Sequence, residues 1–563
     1  MNNNLMMIAR PRTLLLCSLI ATGQLCFAEN IPNAGQLLQE AKSPQIQPAQ
    51  ENKALQAQAP QRAVHGEQQV FVRQFEIQGN TQFSELILRQ QIQAYEGKQL
   101  TLTELQQAAN KVSDYYAQNG YSYSYAFLPA QTLNGGIVTL QVVEAQLNGV
   151  HLSNASNTQP WLVNQIIAPL QNKQLLSDGS IGEISSRLNR LNGVKNNLSF
   201  TSGQSQNETL LNVELVPAQK YQAYLGADNF GSKYTGEVRG TGGIRVNSLL
   251  GLGDQLSLDA MSSGQRMNYG KIGYSALVHG SGTQVGASYS YLEYELGQDL
   301  KDLGYEGNAK ETSVWLQQPV MQSSKQQTML SLNFSHKQLE DDVEITQNFN
   351  HRNINSMQLG LNHSSYDSMG GAGFNELAVM SSFGHLDIKD DAVKAADALS
   401  RQSNGDYLSV FLKASRLQKI MESNQLFASF EGFYSPDNLD SSEAYYVGGS
   451  NFMRGYKSSL FSASQSLASS LELRQDLWSN AQNRLNGKLF LDMAKLKLNA
   501  QTWVGSTEKN TVSLRSAGIG FSWDNRYAGS IQATFGFPLG DKPVQMNDRD
   551  DYQVWLNWQK TFN

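Results

Sequence analysis

The chain holds only two cysteines, Cys17 and Cys26, and both lie near its N-terminus. Removal of that segment leaves no thiol, which excludes a disulfide framework, a thiol nucleophile and a thiolate metal site. Long apolar runs are missing too. Past the N-terminal segment nothing approaches the roughly 20 apolar residues of a spanning helix, which excludes a helical membrane protein. Positive charge is not in excess. The formal net charge is -6 and gives no support to nucleic-acid binding. The seven histidines are scattered. No H-E-x-x-H, G-x-S-x-G or Walker loop occurs, and Gly251-Leu252-Gly253 reads as a turn rather than a phosphate cradle. The expectation is a protein that is not an enzyme, with no catalytic residue, no metal ligands and no cofactor.

Glycine (47), tyrosine (23) and phenylalanine (22) are plentiful. Strands that alternate lipid-facing and lumen-facing residues combine such aromatics with modest hydropathy. A secreted β-protein has a similar composition. Residues 1–28 read as an export signal. Arg10 and Arg12 give its positive region, 14–21 its short apolar core, and Cys26-Phe27-Ala28 its cleavage site. Within 29–42, Ala34, Leu37, Leu38 and Ala41 share one helical face, with Pro32 near the start and Pro44 beyond the end. So short a helix is marginal alone and needs a wall to pack on. Residues 43–69, rich in Gln, Ala and Pro, read as a flexible linker.

Two similar α/β units follow, 70–145 and 146–216. The first reads as a strand over 70–77, helices over 84–94 and from 101, and strands over 122–128 and 137–143. Thr101 and Glu104 stand at capping-box spacing. Leu105, Ala109, Val112 and Tyr116 then recur at helical spacing. The same order returns in the second unit, with strands over 147–152, 198–201 and 209–216 and helices over 160–170 and 181–191. From 217 to 563 no long helical period survives, and alternating strands follow one another. Val285, Ala287, Tyr289 and Tyr291 form one such face. Long polar segments at 338–352 and 387–406 contrast with short turns such as 317–325, the pattern of a membrane barrel. A soluble sandwich or propeller is the alternative. The closing residues put Tyr552, Val554, Leu556, Trp558 and Phe562 on one face.

Two charged motifs stand out. In 448–456, Arg454 lies between Phe452 and Tyr456, close to Gly448, Gly449 and Gly455. In 490–494, Phe490 and Asp492 share one strand face. A carboxylate inside a barrel needs a cation, and a guanidinium can grip it with two hydrogen bonds. Taken alone, the two residues read better as a solvated loop charge and a solvated lumen charge than as a pair.

Residues 72–80, Gly120-Tyr121, 126–129 and 138–144 resemble a POTRA domain, a periplasmic module that binds polypeptides partly through an open strand edge. With the export signal, Met453-Arg454-Gly455-Tyr456 and the Phe-x-Asp motif, the mature chain resembles the TpsB transporters of two-partner secretion, in the Omp85 superfamily. The resemblance implies a mainly β fold: a plug helix (29–42), two POTRA domains (70–145 and 146–216) and a 16-stranded transmembrane β-barrel (217–563). It implies a sixth extracellular loop folded into the lumen, with Arg454, Gly455 and Tyr456 at its tip and Asp492, beside Phe490, on the wall. That wall motif ends in Gly in the family, whereas this chain has Ala494. Leu37, Leu38 and Ala41 become the packing face of the plug. Trp558 and Phe562 become a C-terminal assembly signal, although Asn563 follows them.

The implied function is an outer-membrane pore of a Gram-negative bacterium that secretes an unfolded partner without ATP. The cargo class is a large adhesin, haemolysin or contact-dependent inhibition toxin. The implied partners are an exoprotein of the TpsA or CdiA kind held by POTRA strand edges, outer-membrane lipid, and the barrel assembly machinery. No nucleic acid is among them, and the chain is expected to be a monomer. The alternative is a factor that assembles or inserts outer-membrane proteins, for which two POTRA units are few.

Overall fold

The structure, a computed structural model, describes residues 31–42, 69–132, 135–170, 174–202, 208–264, 266–323, 325–506, 509–546 and 549–562. The expected export signal and nearly all of the expected linker lie outside the described residues.

Sixteen antiparallel strands close into a barrel, sealed where Tyr221–Asp228 pairs with Gln553–Phe562. The period-2 pattern decides which face each side chain takes. In Gln284–Glu295, Tyr289 and Tyr291 are exposed on the outer face, while Ser290 and Leu292 turn inward and are buried. Exposed Leu258, Val314, Phe334, Phe430 and Leu491 extend that outer apolar belt around the barrel.

The polar segment 338–352 is not a loop. Strands Gln326–Val343 and Asn348–Asp367 run through it, parted only by the short turn Glu344–Thr346. At 18 and 20 residues they far exceed the roughly 9–11 that cross a bilayer. Beyond the membrane the outer face, with Gln338, Glu340 and Asp342, meets water, while Leu339, Asp341 and Val343 on the inner face are buried, so the ladder continues without the apolar outer face of a lipid-facing strand. The segment 387–406 does hold a loop, with the helix Asp391–Ala398 inside it.

In the first α/β unit the expected strand 70–77 is split. Arg73 and Gln74 both donate their N–H to the Gly136 carbonyl (2.7 and 3.3 Å). Gln69–Val72 pairs with Lys98–Thr101, and Gln74–Gln78 runs parallel to Ile137–Val143. The strand at 122–128 shrinks to Tyr125–Phe127. Leu102–Gln118 starts on a complete capping box of Thr101 and Glu104. Buried Glu144 accepts from the Thr81 and Gln82 N–H groups (2.7 and 2.8 Å) and from the Tyr116 hydroxyl (2.7 Å). Burial alone would raise its pKa; these bonds outweigh that and hold it below the usual carboxylate value.

The second unit has a four-stranded sheet, in order Gln174–Leu175, Gln146–Asn154, Glu208–Pro217, Val194–Ser202. It rests on the turns at one end of the barrel. Gln159 donates its N–H to the Gly251 carbonyl (2.9 Å), Asn157 its amide to the Ser248 carbonyl (2.6 Å), and Gly280 its N–H to Gln165 (3.0 Å). Leu277 of the barrel joins the core of this unit. Fully buried Asp254 shapes the turn by accepting from the N–H groups of Leu249, Leu250 and Leu252. Gly251-Leu252-Gly253 is thus a seat for the second unit.

Candidate functional site

The segment 435–464 joins strands Asn424–Tyr434 and Gln465–Ser479. Its short strands Tyr445–Val447 and Phe461–Ala463 pair as a hairpin. Gly448 and Gly449 beyond the first strand have φ of 111° and 126°, values that side-chain-bearing residues rarely adopt. The hairpin tip folds into the lumen and brings Arg454 to the wall.

Arg454 is 2 % exposed and is held on every side. Its Nε and Nη2 donate to the two Asp492 oxygens (3.0 and 2.6 Å), and its backbone N–H also donates to Asp492 (3.1 Å). Nη1 donates to Glu472, and Nη2 also reaches Ser470 Oγ (2.9 Å). The guanidinium carbon lies 3.7 Å from the centre of the Phe490 ring. Trp555 Nε1 donates to the Arg454 carbonyl (2.8 Å). Tyr456 is buried, and its hydroxyl donates to the Arg515 carbonyl (3.2 Å). Gly455 abuts the Phe537 and Pro538 backbone so closely that a Cβ has no room. Ala494 packs in the apolar cluster that holds Tyr456, Leu496 and Leu514, so the wall accommodates its methyl group.

The helix Ala34–Ala41 lies inside the barrel. Asn33 caps it by accepting the Gln36 N–H (3.1 Å). Leu37 and Leu38 are fully buried in a cluster with Tyr294, Leu339, Leu439 and Ala444; Ala41 is partly buried against it. Asp341 of the wall accepts the Ala34 N–H (2.7 Å), the Tyr294 hydroxyl and Arg352 Nη2 (2.7 Å). Arg352 also pairs with Asp440 of the inward loop (3.0 Å). Lys42 pairs with Glu311 (2.5 Å), and Lys337 pairs with Glu443. Helix, wall and loop therefore form one linked body. A cavity of about 830 Å³ remains in the lumen, bounded by Glu40, Tyr224, Lys337, Glu472, Lys488 and Trp555.

Sequence reasoning named Arg454, Asp492 and Phe490 and missed Glu472, Ser470 and Trp555. A glutamate on the small-residue face of 465–479, with Ser466, Ala468 and Ser470, was the available signal. Asp341, Arg352 and Asp440 gave none. At the C-terminus, Trp558 Nε1 donates to the Ala528 carbonyl (2.8 Å), and Phe562 stands opposite Ala223 at the barrel seam.

Residues 70–145 match the ShlB-type POTRA domain. Residues 207–522 match the haemolysin secretion/activation proteins ShlB/FhaC/HecB. The chain belongs to this family. It is accordingly an Omp85-type barrel of the Gram-negative outer membrane, a two-partner secretion pore with its POTRA region in the periplasm. The heme/hemopexin transporter protein HuxB of Haemophilus influenzae (strain 86-028NP) is 26 % identical, over 98 % of this chain and 100 % of that protein. The outer membrane transporter CdiB of Dickeya dadantii (strain 3937) is 23 % identical over 67 % of each. The solved structure of CdiB from Escherichia coli matches 99 % of this chain and 100 % of its own, at 20 % identity and a TM-score of 0.65. BamA from Haemophilus ducreyi, lacking POTRA domains 1–3, matches 88 % of this chain and 100 % of its own, at 14 % identity and a TM-score of 0.55. These two structural likenesses concern the fold.

Proposed function

We propose that this family member is a gated conduit: the helix Ala34–Ala41 plugs it and leaves for transport, while Arg454 sets the inward loop. The observation that carries the reading is the position of this helix, held inside the barrel by apolar packing, a hydrogen bond to Asp341 and the Lys42–Glu311 ion pair. Residues 1–28 direct export, 43–69 tether the plug, and 70–145 and 146–216 capture the partner. Unpaired N–H and C=O groups on a POTRA edge accept an extended chain with little regard to its sequence. The cargo class that the family implies is a large unfolded exoprotein: an adhesin, a haemolysin or a contact-dependent inhibition toxin. Folding outside the cell supplies the drive, and the protein works as a monomer that catalyses no reaction. Trp558 and Phe562 serve recognition by the barrel assembly machinery.

Deletion of residues 31–42 is the test. Conductance in planar bilayers is expected to rise severalfold over the intact chain. Unchanged conductance, with the barrel inserted, removes the plug role.

A further inference from the structure

The second POTRA unit carries a tryptophan that transport does not explain. Trp161 opens the helix Pro160–Ile167, whose Leu162, Val163 and Ile166 are buried inside the unit. Trp161 itself is 44 % exposed. The residue two before it, Gln159, is tied to the barrel. It donates its N–H to the Gly251 carbonyl (2.9 Å) and its side-chain amide to the Leu250 carbonyl (3.1 Å). The turn 248–254 joins two barrel strands at their periplasmic end, so the helix starts at the rim of the membrane wall. On the same turn Leu249 and Leu250 are 42 % and 59 % exposed. They continue the outer apolar face of the adjoining strands, where Ile244 and Leu258 are also exposed.

We propose that the second POTRA unit docks on the periplasmic leaflet of the outer membrane through Trp161, together with Leu249 and Leu250 of the barrel turn. The occupant is phospholipid. Its acyl boundary takes the indole ring and the leucines, and its headgroup zone takes the indole N–H. Continuity with the lipid-facing belt selects this partner over a protein: a bilayer that surrounds the barrel already reaches the rim. The contact gives the unit a second support besides the turn, and steadies its aim at the pore.

The test uses the full chain in nanodiscs of phosphatidylethanolamine and phosphatidylglycerol, with one spin label introduced at a time. Trp161→Cys and Leu250→Cys report on the proposed contact. Leu258→Cys on the outer barrel face is the lipid reference, and Phe71→Cys, exposed on the first unit, is the water reference. The unsubstituted protein is the blank for labelling. Collision with oxygen relative to a water-soluble nickel complex is read at each site. The expected ratio at 161 lies nearer to that at 258 than to that at 71, with 250 following it. A ratio at 161 nearer to that at 71 overturns the proposal. Heat-modifiable migration of each variant verifies that the barrel is folded.

Discussion

Arg454 serves two carboxylates, and its removal would leave Asp492 and Glu472 buried together without their cation. Breaking such a buried set costs about 3–5 kcal/mol. The Arg454→Ala variant is expected to insert with normal heat-modifiable migration, expose 448–456 to added protease, and lose most secretion of a co-expressed partner. Lysine at this position keeps the charge but not the two-pronged grip, so its secretion should fall between the two. Normal secretion by the alanine variant at equal membrane level would remove the gating role. The pairing with Asp492 was within reach of the sequence because each residue sits in a recognisable motif. Glu472 offered only its place on a small-residue face, and nothing in 465–479 says which loop tip will arrive there.

At the scale of elements, the N-terminal helix shows how little a short helix owes to itself. Its eight residues are marginal in water, and the wall supplies what they lack. Asp341 places negative charge at the helix N-terminus, where the helix dipole favours it. Arg352 joins that carboxylate to Asp440 of the inward loop. Arg352→Ala is therefore expected to raise the open fraction in planar bilayers, though less than deletion of the helix does. Lys394→Ala, on an exposed helix outside the network, is the control. Closed-state conductance equal to that of the unsubstituted protein would show that the network does not hold the plug. Helical spacing located this element, but its seat depends on a contact between residues 34 and 341, which no local pattern encodes. The reverse error occurred at 338–352, where polar residues on both faces hid two long strands.

On the scale of the whole molecule, the seat formed by 248–254 fixes where the POTRA region stands under the pore. Among the described residues, the hydrogen-bond partners of the Asp254 carboxylate are N–H groups of the turn and the Tyr274 hydroxyl. The Asp254→Ala variant is expected to broaden the distance distribution between spin labels at Lys195 and Lys325, and to lower secretion while the barrel stays folded. Asp254→Asn keeps one acceptor and should recover part of both. A distribution as narrow as that of the unsubstituted protein would show that other contacts suffice. The sequence by itself determined the strand period, the repeated α/β units, the capping box of Thr101 and the arginine and aspartate motifs, because each is written in residues close along the chain. Tertiary structure alone decided that Glu472 shares Arg454, that Arg352 links the N-terminal helix to the inward loop through Asp341 and Asp440, and that Gly251-Leu252-Gly253 seats the second α/β unit. Those contacts follow from barrel closure and strand register, which bring together residues far apart in the chain and so leave no trace in any short stretch of it.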